Sequence, residues 1–292
     1  MRTWIQSGPV VSLDRLGICA DAYDRKAFLH QPGHRVLRSH FLRSSSSAYG
    51  RVLETQDTNT GATTLIYDQR RVPWIPKIKL ILRAGEQRGL SPSDVLGATE
   101  LLGKSRVSLL ELAFDFPKQA GINTAFVMLH LLFGKSRWAA RKPGIVWFGT
   151  RRSSKFVRCY LRVRTQVFRI ELELHAAWLR RNEIQDCFDF QRIPGLIARR
   201  HIFFCKLDWD AVIRRIRRTV PNAPLALRNL SWEKHDLHAT LRFLRGELRF
   251  TNTHRFLEPL ALNGVVTHAL NLWATQWPKS PFRLQHPRGT CL

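Results

Sequence analysis

The stretch Trp147–His175, WFGTRRSSKFVRCYLRVRTQVFRIELELH, constrains the fold of this chain more than any other. Its side chains alternate, and a period of two places every second residue on one face of a sheet. In the first half, Val157, Cys159 and Leu161 point one way and Phe156, Arg158 and Tyr160 the other. In the second half, Phe168, Ile170, Leu172 and Leu174 form an apolar row, and Arg169, Glu171 and Glu173 form the opposite one. The stretch reads as two or three short strands, and on this reading Tyr160 and the Glu171/Glu173 pair share a surface. A phenol, two carboxylates and several arginines on one face suit phosphoryl transfer. They equally suit an ordinary solvated sheet face.

The flanking sequence supplies the rest of the sheet. Residues 10–18 read as a strand. YGRVLETQ from Tyr49 and TTLIYDQR from Thr63 read as a hairpin around the turn DTNTGA. Residues 74–82 and 106–117 read as further strands. On the last of these, Leu110, Leu112, Phe114 and Phe116 face one side, and Glu111, Ala113 and Asp115 the other. Two carboxylates separated by a small residue leave a polar notch. Ser91-Pro92-Ser93-Asp94 starts a helix that runs to about residue 102, with Ser91 as N-cap and Pro92 in the first turn. Further helices are expected over 121–133, 176–183 and 208–218, and Ser44–Ser47 marks a loop.

This order gives an α+β class: an antiparallel or mixed sheet carrying the active-site face, helices packed on its other face, and a helix-rich C-terminal part. Three regions are expected: N-terminal strands and a helix over 1–104, a catalytic sheet core over 105–183, and a basic helical region over 184–292.

The 292 residues include 47 lysines and arginines against 22 acids, a formal charge of +25. Such an excess self-repels unless a polyanion relieves it, and nucleic acid is the partner that gains by counterion release. No acid interrupts the basic residues between Arg141 and Ile170, among them Arg151, Arg152, Lys155, Arg158, Arg162 and Arg169. The segment DWDAVIRRIRR places Arg214, Arg215, Arg217 and Arg218 near the end of a helix. Some of that charge complements the helix dipole; four arginines in five residues exceed that need and suit phosphate contact. Five scattered cysteines, at 19, 159, 187, 205 and 291, include no C-x-x-C and indicate neither a zinc module nor a disulfide framework. With no long apolar run and no signal peptide, a cytoplasmic setting without a membrane is expected.

Several motifs fail on spacing. GATELLGKS at 97–105 has five residues between its glycines where a phosphate-binding loop needs four, and the second GKS, at 134–136, has no upstream glycine in place. His235 and His238 lack further spaced ligands and suit a surface helix better than a metal.

Tyr160 is one of only four tyrosines, with Tyr23, Tyr49 and Tyr67. A phenol with its ordinary pKa near 10 is a weak nucleophile at neutral pH; adjacent cations and a bound metal favour the phenolate. Glu111, Asp115, Glu171 and Glu173 are candidate ligands for Mg²⁺ or Mn²⁺. Cross-strand pairing of these acids with Arg158 and Arg169 is the alternative.

The order Trp147-x-Gly149-Thr150-Arg151-x-Ser153, then Val157-Arg158-x-Tyr160, then Arg169-x-Glu171-x-Glu173, with Glu111 and Asp115 upstream, resembles the replication initiation factor family. These are rolling-circle initiators of plasmids and filamentous phages. The match is clearest over residues 105–182. The resemblance implies a metal-dependent tyrosine nickase and strand transferase that opens and rejoins origin DNA through a 5′-phosphotyrosine intermediate. It implies Tyr160 as nucleophile and Mg²⁺ or Mn²⁺ as cofactor, with Glu111, Asp115, Glu171 and Glu173 as its ligands or supporting acids. Arg151, Arg158 and Arg169 would hold phosphates. The partners implied are single-stranded or supercoiled origin DNA, a second copy in a homodimer, and a host helicase and polymerase. The chain departs from the family pattern at Leu161 and Arg162, where Asp or Asn and then Lys are usual. It departs again at Glu111 and Leu109, where Asp and Arg are usual, and in the short connection from Tyr160 to Arg169. A second reading is therefore a catalytically degenerate, non-enzymatic DNA- or RNA-binding protein of the same fold.

Overall fold

Alternating apolar rows build the strands of this protein, and the side chains of Asp24, Ser91, Asn123 and Asp208 cap helix starts. The computed structural model describes residues 8–30, 33–41, 49–69, 76–86, 88–133, 138–142, 144–198, 201–231 and 237–279. The strands are β1 (Val10–Ala20), β2 (His34–Phe41), β3 (Tyr49–Asp57), β4 (Thr63–Gln69), β5 (Ile78–Arg83), β6 (Ser105–Phe116), β7 (Leu131–Leu132), β8 (Trp138–Lys142), β9 (Ile145–Phe148), β10 (Lys155–Arg162), β11 (Val167–His175), β12 (Phe203–Leu207) and β13 (Leu257–Pro259). The helices are α1 (Arg25–Leu29), α2 (Pro92–Thr99), α3 (Thr124–His130), α4 (Ala176–Arg181), α5 (Ile193–Ile197), α6 (Trp209–Thr219), α7 (Ala223–Ser231), α8 (Leu237–Gly246) and α9 (Leu262–Thr275).

The class is α+β, with a large antiparallel sheet and a helical C-terminal part. Its strand order is β2-β3-β4-β5-β1-β6-β11-β10-β9-β8, so the four strands expected to share a sheet, β6, β9, β10 and β11, do so. A small sheet, β13-β12-β7, stands apart from it. The chain divides into two compact units. An outer-strand unit comprises Val11–Ala113, Leu172–Pro194 and the residues from Asn271 onward. A tyrosine unit comprises Phe114–Glu171, Gly195–Leu270 and the residues up to Val10.

In the outer-strand unit, Ile18, Leu80, Ile66 and Leu53 lie directly opposite one another across β1, β5, β4 and β3, and all four are buried. Helix α2 begins as its sequence dictates: Ser91 and Asp94 form a reciprocal capping box, with Pro92 in the first turn. Phe190 packs edge-on against Trp277 at 4.8 Å between ring centres. Residues 70–75 and 44–47 lie outside the described residues, so the expected strand from Trp74 is seen only from Ile78.

In the tyrosine unit, β10 pairs with β9 in the register Val157↔Phe148, Arg158↔Trp147, Cys159↔Val146 and Tyr160↔Ile145. The helix expected through residue 133 stops at His130. Asn123 caps its start, and Leu131–Leu132 leave the helix to pair with Phe203–Phe204; strand pairing overrides helix propensity there. Val212 and Ile216 of α6 pack with Ala226, Leu230 and Leu244 of the two following helices. His235 and the second GKS lie outside the described residues. His238 sits in α8, which is packed rather than superficial, with Leu237, Thr240, Leu241 and Leu244 buried. No helix among the described residues is long and apolar enough to cross a membrane.

Candidate active site

The two rows of β11 are both out of solvent. Phe168, Ile170, Leu172 and Leu174 are buried as expected, but Arg169 (7% exposed), Glu171 (3%) and Glu173 (5%) are buried as well. Glu111 on β6 is 6% exposed. The face is therefore not an ordinary solvated one. Taking these charges from water costs several kcal/mol per ion unless each is matched, and the structure matches them.

In the tyrosine unit the matching centres on Tyr160. Its hydroxyl donates a short hydrogen bond to Glu171 Oε1. Glu171 Oε2 accepts from Arg158 Nε at 2.6 Å and from Arg158 Nη2. The Arg158 guanidinium also lies 5.3 Å from the centre of the Tyr160 ring. Arg169 grips Asp115 with two parallel bonds, Nε to Oδ1 at 2.6 Å and Nη2 to Oδ2 at 2.5 Å, a geometry only arginine offers a carboxylate. Its Nη1 stands 3.9 Å from Glu171, and Arg162 stands 3.8 Å from Asp115. β10 places these groups by parity: Arg158 and Tyr160 are partly exposed while Val157 and Cys159 are wholly buried.

The phenol is held above its ordinary pKa of 10. Burial is the largest cause, followed by the charge of Glu171 and the hydrogen bond to it; Arg169 and Arg158 pull the other way without prevailing. The expectation that neighbouring cations favour the phenolate is thus reversed in net direction, because the same arginines are spent on carboxylates. Tyr160 is a neutral phenol at pH 7, with a carboxylate already seated to take its proton.

A second network forms in the outer-strand unit. Arg15 Nη2 bonds Glu111 at 2.5 Å and lies 3.2 Å from Glu173, and His175 Nε2 lies 3.5 Å from Glu173. In this unit Asp14 and Glu111 are carboxylates that could help to hold a metal ion. Hard oxygen donors are the chemistry that Mg²⁺ or Mn²⁺ takes. All four acids named from sequence, Glu111, Asp115, Glu171 and Glu173, lie in ion pairs.

Asp14, Arg15 and His175 escaped the sequence reading. His175 continues the polar row Arg169-Glu171-Glu173 by one more step of two. Asp14 and Arg15 are an adjacent charged pair inside an apolar strand, and strict alternation would split them. Leu13 and Leu16 are both fully buried, so the alternation slips by one residue at this pair.

The remaining basic residues divide. The Gly149-Thr150-Arg151-x-Ser153 part of the motif builds the β9–β10 turn: Gly149 has φ +80°, a left-handed value that favours glycine. The Ser153 hydroxyl donates to the carbonyls of Thr150 and Lys155. Arg151 and Arg152 are exposed there, with Arg151 5.3 Å from the Trp147 ring centre. Lys155 turns inward, 5.1 Å from the Phe133 ring centre and 3.2 Å from His201 Nδ1. Arg214, Arg215, Arg217 and Arg218 are all exposed on α6. Leu109 lies against β1, where a Cβ on Gly17 would come within 2.8 Å of Leu109 Cβ. Position 109 thus carries a packing residue.

No protein-family model matches the chain, and no curated protein matches it.

Proposed function

We propose that this protein nicks and rejoins DNA through Tyr160, as a rolling-circle replication initiator does. The observation that carries the reading is the hydrogen bond from the Tyr160 hydroxyl to the buried carboxylate of Glu171, flanked by Arg158 and Arg169. The resemblance of residues 105–182 to replication initiation factors and the charge of +25 point the same way.

In this reading Glu171 accepts the phenol proton as the Tyr160 oxygen attacks a phosphodiester phosphorus. The new bond joins Tyr160 to the 5′-phosphate, the bond to the 3′ oxygen breaks, and that oxygen takes up a proton to become a free 3′-hydroxyl. The reverse transesterification closes the strand. Arg158 and Arg169 hold phosphate oxygens and offset charge that develops on them. Asp14 and Glu111 would help to hold a divalent cation, which when bound would polarise a phosphodiester and favour a phenolate.

The second reading, a DNA- or RNA-binding protein without the chemistry, draws on a specific observation too. Arg158 and Arg169 are already bonded to carboxylates, and the phenol is held neutral. Incubation with single-stranded oligonucleotides and Mg²⁺ or Mn²⁺, followed by denaturing electrophoresis, separates the two. A covalent adduct lost in Tyr160→Phe supports the nickase; nucleotide binding with no adduct under any metal supports the binding-only protein.

A further inference from the structure

We propose that the outward face of β1–β5 in the outer-strand unit docks single-stranded DNA. Tyr67 and Tyr49 supply a base-stacking platform, and Lys79, Arg83 and Arg35 hold phosphates. The inference rests on strand register and stands whether or not Tyr160 is a nucleophile.

Residues directly opposite one another in an antiparallel sheet share a face. The core face is fixed by the buried row Ile18–Leu80–Ile66–Leu53. The alternate residues form the other face, and two of its cross-strand rows are polar. One runs Arg35–Gln56–Thr63–Arg83–Arg15 from β2 to β1. Another, polar beyond the buried Val52 of β3, runs Tyr67–Lys79–Cys19 from β4 to β1, and the Tyr49 ring closes edge-on against Tyr67 at 5.9 Å. Burial raises the Tyr49 phenol, and Cys19 adds to that effect.

Two properties set this face apart. Three of its cations are uncommitted: Arg35 and Arg83 are exposed, Lys79 is half-buried, and none of the three pairs with an acid among the described residues, whereas Arg15 is tied to Glu111 and Glu173. Both of its aromatic rings, Tyr67 and Tyr49, are half-exposed. Cations alone would suit any phosphate backbone. Half-exposed rings on a sheet suit an unstacked base, which a duplex keeps within its own stack and a single strand presents. The occupant that satisfies both is a single strand, its phosphates along the Arg and Lys rows and its bases on the phenol rings.

The test uses the full chain carrying Tyr160→Phe, with chelator present, so that cleavage plays no part. Fluorescence anisotropy measures binding of an oligothymidylate of about 16 nucleotides and of a duplex of equal length. Tyr67→Ala is expected to weaken single-strand binding about tenfold and duplex binding much less. Lys79→Gln combined with Arg83→Gln is expected to reduce the log–log salt slope on the single strand by about 0.7 for each phosphate no longer neutralised. Should Tyr67→Ala not fold, the charge variant and a footprint decide. In the footprint, saturating oligothymidylate on the wild-type chain should slow alkylation of Cys19, located by peptide mapping; Cys159, Cys187 and Cys205 are buried. Folded variants that bind oligothymidylate as the parent does, or Cys19 alkylation unchanged at saturation, overturn the proposal. Equal losses on duplex and single strand overturn the stacking role. Failure to form a Tyr160 adduct in the wild type would sink the nickase and leave this surface standing.

Discussion

The arginines around Tyr160 and those along α6 belong to the same unit, yet their charge is opposed in different ways. Arg158 and Arg169 are tied to Glu171 and Asp115, and Arg169 is buried. Arg214, Arg217 and Arg218 are exposed and pair with no acid among the described residues, while Arg215 rests 5.8 Å from the Phe250 ring centre. A buried arginine adds little to the outward field, because its carboxylate cancels it. It fixes the position of the groups around it. An exposed arginine with no acid beside it keeps its charge toward the solvent. The +25 excess thus sits on surfaces such as α6, and the Tyr160 cluster is nearly self-neutralised. Exposed cations along α6 and a self-neutralised cluster at Tyr160 are thus separate parts of this unit.

The contrast breaks most readily on stability. Arg169→Ala leaves Asp115 and Glu171 short of a buried partner and should cost about 3–5 kcal/mol in urea unfolding. Arg217→Ala and Arg218→Ala should each stay within about 0.5 kcal/mol. Equal costs would mean the two sets are held alike, against the structure. Next in size is the salt response. Replacing all four α6 arginines by alanine should lower the log–log slope of duplex binding by about 0.9 for each phosphate that these arginines neutralise in the parent. An unchanged slope would move the DNA to another surface. The metal follows: calorimetric titration of Mn²⁺ should show binding that Glu111→Gln weakens at least about tenfold. Binding that survives unchanged would remove Glu111 from the ligand set.

A smaller effect is expected at alkaline pH. The Tyr23 phenol is raised to about 12, first by burial and then by Asp68, and Tyr160 is raised too. The unfolded chain loses these protons near the ordinary phenol value of about 10, before the folded chain does. The stability they contribute is whole below about pH 10 and falls as pH climbs through the folded values. The thiols of Cys187 and Cys205, raised to about 11 and about 12 by burial, act in the same direction from a lower start. Unfolding midpoints that rise between about pH 10 and about pH 12 would contradict this.

Much of the sheet was legible from the chain itself. The alternating run of β10 and β11 and the Glu111/Asp115 spacing on β6 named the strands and their parity. Ser91 as N-cap with Pro92 after it named the start of α2. Burial was not legible. Glu171 and Glu173 read as an outward row because period two says only that they oppose Ile170 and Leu172; what covers that row is decided by residues distant in sequence. Asp14 was hidden by the slip in β1, since alternation assigns it a face only while the period holds. The end of α3 was hidden because Leu131–Leu132 are good helix formers captured by Phe203–Phe204 of another strand. The β9–β10 motif was legible as a pattern, and the structure adds that its glycine and serine build a turn.

Tyr160→Phe removes one oxygen and one hydrogen bond, so stability should shift by about 1 kcal/mol, and DNA binding should persist because it comes from Arg and Lys. The most direct test is the protein–DNA adduct on single-stranded DNA with Mg²⁺ or Mn²⁺, located by mass spectrometry. The account predicts a 5′-phosphotyrosine at residue 160 in the wild type and none in Tyr160→Phe. A wild-type protein that binds the strand and never joins it, or a Tyr160→Phe protein that still does, would contradict it.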